Sequence, residues 1–309
     1  MRGTIWRYAQ AVMFAARAAW AKLVFLNELR ARVPHSPNAE APAPATAPKS
    51  PRASSLFIGS TEKSFQVLQA FNGSQRHMTL ADIARAADLD RSATQRVVHT
   101  LEQLGYLCRI PESRQYGLTS KVLQLSYNYL RANELVDKAS PYLLEISRTL
   151  GETTNLQELD GSDIVFVARF HGRHLVNVDF NVGARLPAFF TSSGNAILSR
   201  FSHARRLEIL QKTRLVPITP FTEVNPERLL ARVQSMAEKG YAIVSNETVL
   251  GDISVSAPII DHRGMAVAAI NISVPTTRWT VASAEEELVP HVQVAATSIS
   301  KTKFASYTG

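Results

Sequence analysis

The stretch LADIARAADLDRSATQRVVHTLEQLGYL, residues 80–107, places apolar side chains at helical spacing twice in quick succession. Leu80, Ile83, Ala84 and Ala87 make one apolar face, and Ala93, Val97, Val98, Leu101 and Leu104 make a second. Only Leu89 fills the turn between them. Thr79 with Asp82 three residues on is a variant of the capping box, and Asp90 is placed to cap the second helix. Gly105 ends it. Further helical periodicity covers residues 62–72, 120–131, 136–150, 193–200, 204–212, 226–239 and 284–301, with Gly240 suited to a left-handed cap. Residues 106–119 read as a β-hairpin, YLCRI and YGLT around PESRQ. Strand-like runs follow in NLQEL, DIVFVARF, LVNVDF, YAIVSNE, ISVSAPIID and MAVAAINISV.

Two helices joined by so tight a turn must cross at a steep angle. The pattern predicts a helix-turn-helix, whose second helix leaves Arg91, Ser92, Thr94, Gln95, Arg96 and His99 on its polar side. Arg and Gln suit guanine and adenine edges respectively. An ordinary helical hairpin with a solvated face has the same pattern, so the following hairpin matters. It makes a winged helix, with Arg109 and Arg114 flanking the turn where phosphates would lie.

Charge asymmetry between the two halves suits a polyanion or membrane partner at one end, although surplus Lys and Arg also simply keep a surface solvated. The 309 residues carry a formal +8, but residues 1–55 hold 8 basic and 2 acidic side chains and residues 56–131 hold 9 and 6. Residues 132–309 are near neutral, with 17 basic and 18 acidic. The single cysteine, Cys108, excludes an internal disulfide framework and points to a reducing compartment, here the cytoplasm. On the wing's first strand it reads as a small buried apolar residue, although a thiol there can also sense oxidants.

Residues 34–54 are rich in Pro and Ala and read as an extended linker. Residues 1–33 read as a cationic helix, apolar over much of its circumference. Its longest uncharged stretch is too short to span a bilayer, so it is either an extension outside the fold or a surface-seeking helix. The expected divisions are 1–55 for extension and linker, 56–119 for the winged helix, 120–132 for a linker helix and 133–305 for a second domain. The linker helix exposes Val122, Leu123, Leu125, Leu130 and two tyrosines that must pack on something, either within the chain or in a dimer.

Several signals lead nowhere. His171 and His174 are three apart but sit at a strand–strand turn without a carboxylate or Cys partner, so no metal site is expected. The TSSGN segment lacks the pattern of a nucleophile elbow. No glycine-rich phosphate loop and no triad spacing occur, so no catalytic residue and no cofactor are assigned.

With these residues in view, the chain resembles the IclR family of bacterial transcription regulators over residues 57–305. The matching segments are SFQVLQAF, the helix-turn-helix, the wing closing in YGLT, PAFFTSSGNAILSRF, ETVLGDISVSAPIID and MAVAAINIS, in collinear order. The resemblance implies an α+β protein. A winged helix-turn-helix is joined by a linker helix to a GAF/PAS-like α/β effector-binding domain, and the protein binds operator DNA as a homodimer or homotetramer. It also implies a small organic or aromatic acid effector and control of catabolic genes, as repressor or activator. Carried over by position, the effector site comprises Leu186, Ser192 and Ser193 on a loop and helix start, with Val244, Ser254, Asn271 and Ser273 from later strands. Ser192 and Ser193 would offer hydroxyls and a helix N-terminus to an anion, and Phe189 and Phe190 would wall the ligand. Singly, each serine suits a cap or strand surface equally well. Some members carry an acid at the Val244 position and a thiol at that of Ser254. This chain has neither, so no particular effector carries over. Glu247 and Gly251 match the family pattern and are expected to shape a loop rather than touch ligand. The alternative is a sensor or enzyme with a GAF-like domain whose N-terminal domain serves protein contacts.

Overall fold

A computed structural model describes residues 54–73, 75–173 and 180–302. The expected strand LVNVDF lies outside them apart from Phe180, as do residues 1–33 and His174. The chain divides into two compact units between Ser126 and Tyr127, inside the expected linker helix rather than after it.

The first unit holds α1 (Gly59–Ala70), β1 (Met78–Thr79), α2 (Leu80–Ala86), α3 (Arg91–Gln103), β2 (Leu107–Arg109) and β3 (Gln115–Leu118). Its small sheet runs β1-β3-β2, all antiparallel, so the wing hairpin carries an extra strand that the sequence pattern did not signal. The capping box at Thr79 and Asp82 forms with both reciprocal bonds. Those bonds hold the Asp82 carboxyl below its ordinary range. Asp88 makes the tight turn at φ 52°, a left-handed conformation that Asp tolerates. Asp90 then caps α3 by accepting from the Ala93 N–H at 2.8 Å. The core beneath is Val67, Met78, Ile83, Val98, Leu101 and Leu107. Leu104, expected on the apolar face, is 53% exposed, because the last turn of α3 runs past the end of this core.

A 3-10 turn (Ser120–Val122) leads into α4 (Leu123–Ala132), which buries no residue. The second unit continues with α5 (Glu134–Leu150), β4 (Thr153–Asp160), β5 (Asp163–Phe170), β6 (Arg185–Pro187), α6 (Ser192–Leu198), α7 (His203–Lys212), α8 (Pro226–Lys239), β7 (Ala242–Ser245), β8 (Asp252–Ile260), β9 (Ala266–Pro275) and α9 (Val281–Ser300). The six strands pair antiparallel in the order β6-β5-β4-β9-β8-β7. Side chains alternate across a strand. On β8, Ile253, Val255, Ala257 and Ile259 enter the core shared with Ala139 and Leu143 of α5 and with Leu288 and Val292 of α9. Ser254 and Ser256, between them, meet α6 instead. One face of the sheet is thus apolar and the other unusually polar.

Helix α6 lies close against the 3-10 turn at Ala188–Phe190. A Cβ added at Gly194 would collide with the Ala188 backbone, so only glycine permits this approach. Gly194→Ala is therefore expected to cost about 1–3 kcal/mol by overpacking. Equilibrium urea unfolding checks this, and an unchanged midpoint would contradict the close approach.

Candidate DNA-reading and ligand sites

On α3 the side chains of Arg91, Ser92, Gln95, Arg96 and His99 are exposed. Thr94 is not. It is fully buried, with its hydroxyl donating to the Asp90 carbonyl at 2.8 Å. Its assignment to the polar face is corrected, and the spacing of residues 94, 98 and 101 was the available signal. On the wing, Arg109 and Arg114 are exposed at either side of a turn closed by Ile110 N–H to Gln115 O at 2.8 Å. Cys108 is also exposed, not buried, because on β2 it faces away from the core that Leu107 enters.

The second unit gathers Leu186, Ser192, Ser193, Val244, Ser254, Asn271 and Ser273 around one cavity. Leu186 belongs to the edge strand β6, paired with Ile164, rather than to a loop. Phe189 and Phe190 are fully buried in the 3-10 turn and do not line the cavity, so their expected role is corrected. Phe166 and Phe180 form the aromatic wall in their place, their ring centroids 5.4 Å apart. No local pattern selects these two, because strand register alone decides that Phe166 turns inward.

A row of polar groups crosses this wall, donor to acceptor. The Arg169 Nη1 donates to Asn155 Oδ1 at 2.9 Å, and Asn155 Nδ2 donates to Asn271 Oδ1 at 2.6 Å. Asn271 Nδ2 reaches the hydroxyls of Ser192, Ser254 and Ser256. Ser192 Oγ lies 2.6 Å from both Ser254 Oγ and Ser256 Oγ, and Ser193 donates to Gln157. The row follows the sheet register, in which Asn155 stands opposite Arg169 on one side and Asn271 on the other. Asn155, Gln157 and Arg169 carried no signal in the sequence. At the start of α6 the Gly194 N–H is taken by Thr191 Oγ1 at 3.0 Å, while Ser192 and Ser193 line the cavity.

Glu247 lines the cavity, while its carboxylate is anchored by Arg232 and by the Glu223 N–H. Burial raises its pKa, against the pull of Arg232. Gly251 does shape the loop, at φ 83°. Asp252 also lines the cavity, and burial pushes its carboxyl up to about 6, with the Ser273 hydroxyl and the Arg169 charge opposing. The enclosed space is about 30 Å³, room for about one water.

A basic winged helix-turn-helix on one unit and a polar cavity on the other define a DNA-binding transcriptional regulator. Residues 60–111 match the IclR helix-turn-helix domain, and residues 127–301 match the C-terminal domain of bacterial transcriptional regulator IclR. The Pca regulon regulatory protein of Pseudomonas putida is 36% identical over 235 residues, which is 76% of this chain and 80% of that protein. A transcriptional regulator from Rhodococcus sp. RHA1 has a solved structure matching with a TM-score of 0.67 at 32% identity, over 79% of this chain and 98% of that one. An IclR homologue from Microbacterium hydrocarbonoxydans, solved in complex with 4-hydroxybenzoate, matches with a TM-score of 0.65 at 25% identity, over 78% and 97% of the two chains. The chain belongs to the IclR family of bacterial transcriptional regulators. Its fold is of the expected α+β class, a winged helix-turn-helix followed by a GAF/PAS-like domain. Among the described residues no helix is long and apolar enough to cross a membrane.

The Asp252 shift carries a pH signature. Its proton is held more tightly folded than unfolded, where the ordinary value is 3.8. The associated stability is fully present below pH 3.8 and is lost as pH rises through about 6. Asp252→Asn is therefore expected to gain on the parent chain, by on the order of 2–3 kcal/mol, between pH 4 and pH 7. Thermal unfolding of both across that range checks this, and a pH-independent difference would contradict the buried carboxylate.

Proposed function

We propose that the chain regulates catabolic genes in the cytoplasm by binding operator DNA as a dimer, in response to a small organic or aromatic acid held in the cavity of the second unit. The observation that carries the effector half is the cavity itself. Arg169, a buried amide row and serine hydroxyls surround a space walled by Phe166 and Phe180. A cation with convergent donors suits a carboxylate, and the aromatic wall suits a flat or apolar body. A relative crystallised with 4-hydroxybenzoate supports the aromatic version. The relative that regulates the Pca regulon supports a catabolic setting. Ligand clefts run to about 300–1,000 Å³, so an acid that enters must part the side chains that close this one.

The residues proposed to meet DNA are Arg91, Ser92, Gln95, Arg96 and His99 at base edges, with Arg109 and Arg114 at phosphates. The exposure of this set supports the reading. Fluorescence anisotropy with the upstream intergenic duplex tests it, with and without candidate acids. Specific binding is expected at nanomolar to tens of nanomolar Kd, with a steep salt dependence and a shift on adding effector. Arg96→Ala and Gln95→Ala should relax base preference, whereas Arg114→Ala should weaken all duplexes alike. Equal losses from all three would remove the assigned roles, and no binding at low salt would remove the function.

Dimerisation is proposed through α4. Leu123, Leu125, Tyr127 and Tyr129 are 63%, 51%, 63% and 45% exposed, an apolar surface that water does not favour. Leu123→Glu combined with Tyr127→Glu should yield a monomer of lower DNA affinity. Analytical ultracentrifugation reads this out, and an unchanged mass would place the interface elsewhere.

A further inference from the structure

Asp252 stands out in a cavity proposed to accept an acid. It is 8% exposed, and a buried carboxylate is costly unless donors surround it. Ser273 Oγ donates to its Oδ1. The charge of Arg169 reaches it but does not offset its burial. Its neighbour on the cavity rim, Glu247, is acidic too, but that carboxylate is already held by Arg232. The two walls of the cavity therefore differ in character. Arg169 enters from β5, whereas Asp252 enters from β8, with β4 and β9 between them. A carboxylate is welcome at the Arg169 wall. At the Asp252 wall it would meet a second acidic acceptor, whereas a hydroxyl there would add a donor to this carboxylate beside Ser273.

We propose that Asp252 is a specificity residue of this cavity, accepting a hydrogen bond from a hydroxyl of the effector, so that the chain responds to a hydroxylated carboxylic acid. This rests on the reading of the cavity as an acid-binding site. The effector is read at two ends, its carboxylate towards Arg169 and its hydroxyl towards Asp252, with its apolar body against Phe166 and Phe180. An analogue without the hydroxyl forgoes the added hydrogen bond to Asp252. An analogue with a second carboxylate in that place sets two acids against each other.

Isothermal titration calorimetry on the full chain tests this with two matched sets, 4-hydroxybenzoate, benzoate and terephthalate, and 4-hydroxybutyrate, butyrate and succinate. The unmodified protein is expected to favour the hydroxy acid of at least one set by about tenfold or more, the worth of a hydrogen bond to a charged group. Asp252→Ala should bring hydroxy and des-hydroxy acids within about threefold of each other. Asp252→Asn keeps the shape and offers an N–H, so it should bind the diacid of that set more tightly than the parent does. A single cooperative unfolding transition in each variant shows that it is folded. If an acid binds but the preference survives both substitutions, or if the des-hydroxy acid binds equally well from the start, Asp252 does not select and the acid-sensing reading stands. If no acid of either set binds the folded parent chain, both readings fall.

Discussion

Polar groups buried on the face of the sheet beneath α6 need partners there, because an unmatched group would cost as much as a lost hydrogen bond. The chain meets this constraint with one continuous row. Arg169, Asn155 and Asn271 hand hydrogen bonds along three adjacent strands, and the serines of β8 and α6 complete it. Each member fixes the rotamer of the next. The row thereby holds the register of β5, β4 and β9 and seats α6 on the sheet. The cavity is the space left where this polar face meets the loop after β7.

A scaffold of this kind can hold a reading site in one place while leaving it sensitive to what enters. An acid held there would compete for donors already in use, in a network that spans three strands. A ligand can shift a conformational equilibrium only by as much as its affinity differs between the states. A network that must re-pair on binding supplies such a difference. Arg232 extends the reach of the site, since its guanidinium joins Glu247 of the rim to the Phe189 carbonyl behind α6.

The reading head obeys a simpler logic. Its fold is local: a capping box at Thr79, a left-handed turn at Asp88, a cap at Asp90 and a left-handed stop at Gly105. Each is a short-range device written in adjacent residues, which is why the helix-turn-helix could be placed from its pattern to within a residue or two. Thr94 shows the margin of error. Its residue type suggested a surface, but its position relative to Val98 and Leu101 decided otherwise.

What the sequence by itself determined was the order of elements, the caps and turns, the basic surface of α3 and the cavity positions that a collinear family resemblance could transfer. Those depend on neighbours along the chain or on motifs with fixed spacing. What only the tertiary structure decided was which residues from distant strands stand side by side. Asn155, Gln157 and Arg169 join the site because β4 pairs with β5 and β9 in one register, and a slip of one residue would turn them to the apolar face. Phe166 and Phe180 replace Phe189 and Phe190 at the wall because the tight 3-10 turn, wedged against Gly194, drives the latter pair inward. Register and close approach arise between segments remote in sequence, and no local pattern encodes them.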